Sequence, residues 1–184
     1  MKRILLSILL LTTVEMVAKA QTSTANASAQ QTVQLQLSNV LDITFVGNSS
    51  SVGSTVALPF TTANDYANGV ESSAQQLRIR SNKNFNVTVR ANTANFSVSN
   101  GSSTTTSNMP ANVLNVKVSS NQTGGNIAGS FANYTGLSNT ANNLISNASF
   151  GGNQTFSVMY KATPGFAYPA GTYSLDVVYT ATQQ

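Results

Sequence analysis

Beyond residue 20 the chain carries four carboxylates, Asp42, Asp65, Glu71 and Asp176. Two of them would have to flank one bond to do the paired acid and base work of a glycoside hydrolase. Their spacing gives no such pairing; each falls where a strand or turn would leave it solvated. The sequence has no His and no Cys, which removes the Ser-His-Asp and Cys-His nucleophile sets and the usual zinc and copper ligands. The stretch NDYANG, Asn64 to Gly69, offers side-chain oxygens but not the D-x-[DN]-x-[DN]-G spacing of a calcium loop, and reads as a turn. These residues point to a chain that is not an enzyme and has neither cofactor nor metal site.

Binding chemistry is better represented. Arg78, Arg80, Lys83 and Arg90 are four of the six basic residues beyond residue 20, and they lie within thirteen positions. Arg78 and Arg80 project from one strand face, where they could hold an acidic glycan, the carboxylates of peptidoglycan or another anionic partner; the same positions also suit basic residues that only keep a strand soluble. Tyr66, Tyr134, Phe166 and Tyr168 fall in or near loops, where aromatic rings either stack on sugars or plug the ends of a sandwich. Six basic residues against four acidic ones give no case for nucleic acid.

The elements that must position these residues follow from composition and period. Residues 1–20 have a basic start at Lys2 and Arg3, an apolar run from Ile4 to Leu11 and Ala18-Lys19-Ala20 at their end, the pattern of a secretory signal peptide too short in its apolar part to span a bilayer. The expectation is an exported protein of the periplasm, cell surface or exterior, without a transmembrane segment and, lacking Cys, without disulfides. Residues 21–31 are small and polar and read as a flexible leader; residues 32–184 read as one domain.

That domain is rich in Asn, Ser, Thr, Gln and Gly, which disfavour long helices, while Val, Ile, Leu, Phe and Tyr recur in alternation. Val33, Leu35 and Leu37 alternate with Gln34 and Gln36, and Leu41, Ile43 and Phe45 continue the pattern. TVALPF predicts a short edge strand because of Pro59. QQLRIRSNKNFNVTVRA predicts a hairpin, with Leu77, Ile79, Phe85, Val87 and Val89 inward and a turn at residues 81–84. NFSVS predicts a strand, NGSSTTTSN a loop, and the run after Met109 a strand with Val113 or Leu114, Val116 and Val118 inward. Residues 121–148 show no readable period. NQTFSVMYKAT and GTYSLDVVYTAT predict two strong strands, the second with Tyr173, Leu175, Val177 and Tyr179 on one side. Eight to ten such strands predict an all-β domain, a two-sheet sandwich of Ig-like or jelly-roll-like type.

The segment YPAGTYSLDVVYTATQQ, preceded by TFSVMYKAT, resembles the closing hairpin of bacterial pilin-like secreted domains of the spore coat protein U and archaic fimbrial subunit type. Gly171, Thr172 and Tyr173 and the alternation through Val177 and Tyr179 carry the likeness; the aromatic residue expected beside the end and the cysteine pair are missing. LRIRSNKNFNVTVRA is similar to the central hairpin of those domains and of WxL-type surface domains, without the WxL motif itself. The resemblance implies an Ig-like sandwich that assembles by one subunit lending a strand to the next. Val33, Leu35 and Leu37 then have two readings, the first strand of their own domain or a donor for another copy. Tyr173, Leu175, Val177 and Tyr179 likewise close their own sandwich or meet an incoming strand.

The sequence thus predicts a secreted, non-catalytic structural or adhesive surface protein, a pilin-like subunit whose partners are copies of itself or other surface subunits. A monomeric module binding cell-wall or external glycan through the arginines is the alternative.

Overall fold

The computed structural model describes residues 26–47, 50–99 and 103–184. The expected signal peptide, and the leader up to residue 25, lie outside the described residues. From residue 26 to residue 40 the backbone forms neither helix nor strand and every residue is exposed.

Leu37–Gln184 forms one compact unit. Its strands in chain order are β1 (Leu41–Phe45), β2 (Val70–Glu71), β3 (Gln75–Ser81), β4 (Phe85–Ala91), β5 (Asn95–Ser99), β6 (Thr104–Pro110), β7 (Leu114–Asn121), β8 (Asn126–Ile127), β9 (Thr135–Gly136), β10 (Asn142–Ala148), β11 (Gly151–Ala162), β12 (Thr172–Ser174) and β13 (Val177–Gln183). One sheet runs β1-β3-β11-β7-β9, with β2 also on β11; a second runs β13-β4-β10-β8; a small third runs β12-β5-β6. All pairings are antiparallel. The domain is an all-β sandwich, as its alternation predicts.

Period two decides which side chains meet. Leu77 and Ile79 of β3, Val116 and Val118 of β7, and Phe156, Val158 and Tyr160 of β11 turn inward from the first sheet; Phe85, Val87 and Val89 of β4 and Leu144 and Ile145 of β10 turn inward from the second. The uncertain register before Val116 resolves in favour of Leu114, which is buried while Val113 is partly buried. Removing one large side chain from such a core, as in Leu144→Ala, costs about 2–5 kcal/mol.

The structure corrects several local expectations. β3 and β4 are not a hairpin: β3 pairs with β1 and β11, β4 with β10 and β13, and residues 82–84 are a corner between sheets. The apolar faces of both strands are buried, β3 covering the interior from the first sheet and β4 from the second. Ser81 fixes the corner, its hydroxyl donating to the Lys83 carbonyl at 2.6 Å and accepting from the Lys83 N–H at 3.2 Å. Likewise β11 and β13 are not a closing hairpin, since they belong to different sheets. GTYSLDVVYTAT is interrupted at Leu175-Asp176, so that β12 pairs with β5 and β13 with β4. Part of the expected loop after Ser99 is strand: Thr104–Thr106 pair with β5. TVALPF forms no strand and belongs to no sheet.

The NDYANG turn is a short helix, α1 (Ala63–Asn68). Thr62 and Asp65 form a capping box, the Thr62 hydroxyl accepting from the Asp65 N–H while the Asp65 carboxylate accepts from the Thr61 and Thr62 N–H groups at 2.8 and 2.7 Å. Gly69 ends it at φ +83°, where a Cβ would stand 2.7 Å from the Ala162 carbonyl oxygen.

Candidate functional site

Among the strands with a neighbour on one side only are β1, at the end of the first sheet, and β13, at the end of the second. β1 pairs with β3 alone and β13 with β4 alone. The Asn82 N–H donates to the Val40 carbonyl and the Val46 N–H to that of Gln76, so the even positions of β1 bond β3. Leu41, Ile43 and Phe45 therefore turn their backbone groups the other way, and the Phe45 N–H is taken by the Ser50 carbonyl at 2.7 Å. On β13 the phase is the same. Asn92 donates to the Asp176 carbonyl and Gln184 to that of Asn84, which leaves Val177, Tyr179, Ala181 and Gln183 with backbone groups on the free edge and side chains turned inward.

The two edges approach each other across the sandwich. The Gln183 amide donates to the Val40 carbonyl at 2.8 Å and to the Ser81 hydroxyl at 3.1 Å. Tyr179 sets its ring edgewise to Phe45 at 6.5 Å and Phe156 at 6.1 Å, and its hydroxyl shares a 2.9 Å hydrogen bond with that of Tyr160. Burial pushes both phenols above their usual range, Tyr179 further because Tyr160 lies beside it.

Between these edges opens a cleft of about 980 Å³ whose apolar lining includes Ile43, Phe45, Leu77, Phe96, Met109 and Leu114, with Tyr173, Leu175, Val177 and Tyr179 along the far side. At one end Tyr66 stacks on Phe166 at 5.5 Å and packs against Phe60 at 5.3 Å. All four residues expected on the inner side of the closing segment thus border one cavity. Val33, Leu35 and Leu37 belong to no strand and are 77, 81 and 89% exposed.

The basic residues are spread more widely. Arg78 and Arg80 share the outer face of β3, where Arg80 is engaged by Asp42 at 2.6 Å and the Arg78 Nε is buried without a hydrogen-bond partner. Lys83 stands at the corner, and Arg90 is on β4 of the other sheet with its guanidinium on the Ala91 carbonyl. The four carboxylates are apart: Asp42 on Arg80, Asp65 in its cap, Glu71 beside Lys161 at 3.3 Å, and Asp176 accepting from the Asn92 amide at 2.9 Å. Among the described residues no three His, Cys, Asp or Glu side chains gather as a metal would require.

One cluster escaped the sequence reading. Tyr134 donates to Glu71 at 3.0 Å, Lys117 lies 4.3 Å over its ring, and Lys161 bonds Glu71. Desolvation and the adjacent Glu71 raise the phenol to about 12, while the Tyr134 hydroxyl, followed by Lys161, lowers Glu71. Alternation marks Lys117 and Lys161 as outward, but nothing in the sequence brings Glu71 and Tyr134 to them.

No family model matches this chain, and no curated protein is significantly similar to it. The geometry of the cleft and its edges therefore carries the functional argument.

Proposed function

We propose that this chain is an exported, non-catalytic structural subunit that polymerises by strand addition, the segment around Val33, Leu35 and Leu37 of one copy entering the β1/β13 cleft of the next. The observation that carries this is a match of chemistry: an exposed segment with three apolar residues at period two, and an apolar cleft flanked by two free strand edges. An extended stretch over residues 32–38 reaches about 23 Å at ~3.3 Å per residue, the same length as β13. Set between the edges, it would pair on both sides, each hydrogen bond adding about 0.5–1.5 kcal/mol. It would also cover edges that otherwise invite unspecific association. Export rests on the signal-like residues 1–20.

The glycan-binding alternative draws less support. Arg80 is already paired with Asp42, and Arg90 belongs to the other sheet.

The test is electrophoresis of residues 21–184 in detergent without boiling. Wild type should give a ladder, and the variant carrying Val33→Ser, Leu35→Ser and Leu37→Ser a single monomer band. Wild type running only as monomer, or a ladder that survives the three substitutions, would reject the assignment.

A further inference from the structure

The cleft has a further wall besides the two strand edges. Gly53–Phe60 lines it together with residues of β1 and of the β12–β13 side, with Val56, Leu58 and Phe60 half-buried against the core and Thr55, Ala57 and Pro59 exposed. Among the described residues the backbone of this segment makes no hydrogen bond. Its apolar residues stand as V-x-L-x-F, the spacing that Val33, Leu35 and Leu37 show as V-x-L-x-L.

We propose that Gly53–Phe60 is a placeholder strap, which covers the cleft in the free subunit and is displaced when a strand from a second copy enters; the idea rests on the strand-addition reading above. Its two ends are fixed and its middle is not. At the start Gly53 lies so close on the Phe45 ring that a Cβ would stand 3.0 Å from it, and the Phe45–Ser50 bridge precedes it. Beyond the end, the Asp65 carboxylate accepts from the N–H groups of Thr61 and Thr62. Between these anchors only three side chains hold the strap down. Moving it breaks no backbone hydrogen bond, and Pro59, which has no N–H, makes it a poor strand for either edge. The incoming segment has no proline and can bond both edges, so it offers everything the strap provides and a ladder besides. The strap thus shields apolar surface without competing permanently for it.

The experiment uses the full chain from residue 21 with Val33→Ser, Leu35→Ser and Leu37→Ser, so that it stays monomeric, and a fluorescent synthetic peptide of residues 31–39 as the entering strand. Because the chain has no Cys, Leu58→Cys places a single thiol on the underside of the strap. Maleimide labelling should be slow in the free subunit and at least tenfold faster once the peptide is bound. Val56→Ser should raise the rate of peptide capture several-fold by loosening the strap. Peptide binding with labelling unchanged or slower would overturn the strap and leave strand addition standing. Absence of peptide binding in every variant would overturn both. If Leu58→Cys does not fold, Val56→Cys gives the same readout.

Discussion

Tyr179 serves two structures at once. Its ring and hydroxyl tie the second sheet to Phe45, Phe156 and Tyr160 of the first, while its backbone faces the free edge. Replacement by Phe keeps the ring but leaves the Tyr160 hydroxyl without this partner, and should lower the unfolding free energy by about 1–3 kcal/mol in a urea titration. The same residues set an alkaline limit. Tyr134, Tyr160 and Tyr179 all ionise at higher pH folded than unfolded, so their stabilising contribution is whole below about pH 10, the unfolded phenol value, and falls as pH rises towards the folded values. For Tyr134 that window runs from 10 to about 12. Denaturation midpoints should therefore fall progressively above about pH 10, and absorbance at 295 nm (a general tyrosinate signal) should show late-titrating phenols until the protein unfolds.

At the scale of elements, alternation reported faces faithfully and neighbours poorly. Leu77, Ile79, Phe85, Val87 and Val89 read as inward and are buried, because period two is a property of each strand alone. Which strand lies alongside is set by residues far away in sequence: β3 lies between β1 and β11, and β4 between β13 and β10. Asn82-Lys83-Asn84 serves a corner between sheets as well as a hairpin turn, so the wrong pairing was the natural expectation. TVALPF failed differently, its alternation real but its backbone unladdered. The α1 helix was hidden because six residues give too little period to see, although the Thr62/Asp65 spacing is a capping signature. Thr62→Ala should cost about 1 kcal/mol by losing that cap, measured by chemical denaturation. Asp65 titrates below its ordinary value because of the Thr61 and Thr62 N–H bonds, so its contribution is present above about pH 4, the unfolded carboxyl value, and is lost as pH falls through the folded one.

For the molecule as a whole, the sequence made both partners of the proposed contact visible, Val33, Leu35 and Leu37 on one side and Tyr173, Leu175, Val177 and Tyr179 on the other. It could not make the cleft visible, since the cleft is bounded by edges that only the sheet order defines. The exposure of Val33, Leu35 and Leu37 gives a sharp expectation. Val33→Ser, Leu35→Ser and Leu37→Ser together should leave the melting temperature of the monomer within about 1 °C of wild type, because surface substitutions that touch nothing stay near zero. A marked drop would mean that these side chains pack within their own subunit.

The order of the second sheet has a further consequence, for folding in time. β4 takes Asn142 and Ile145 of β10 on one flank and Val177–Gln183 of β13 on the other. None of its neighbours is made before it, and one comes only with the closing segment. Pairings of such separation fold in milliseconds to seconds, not microseconds. During synthesis, β4 would wait with Phe85, Val87 and Val89, buried in the finished fold, still uncovered. The rate at which β13 arrives sets how long that apolar face stays open to water and to other chains.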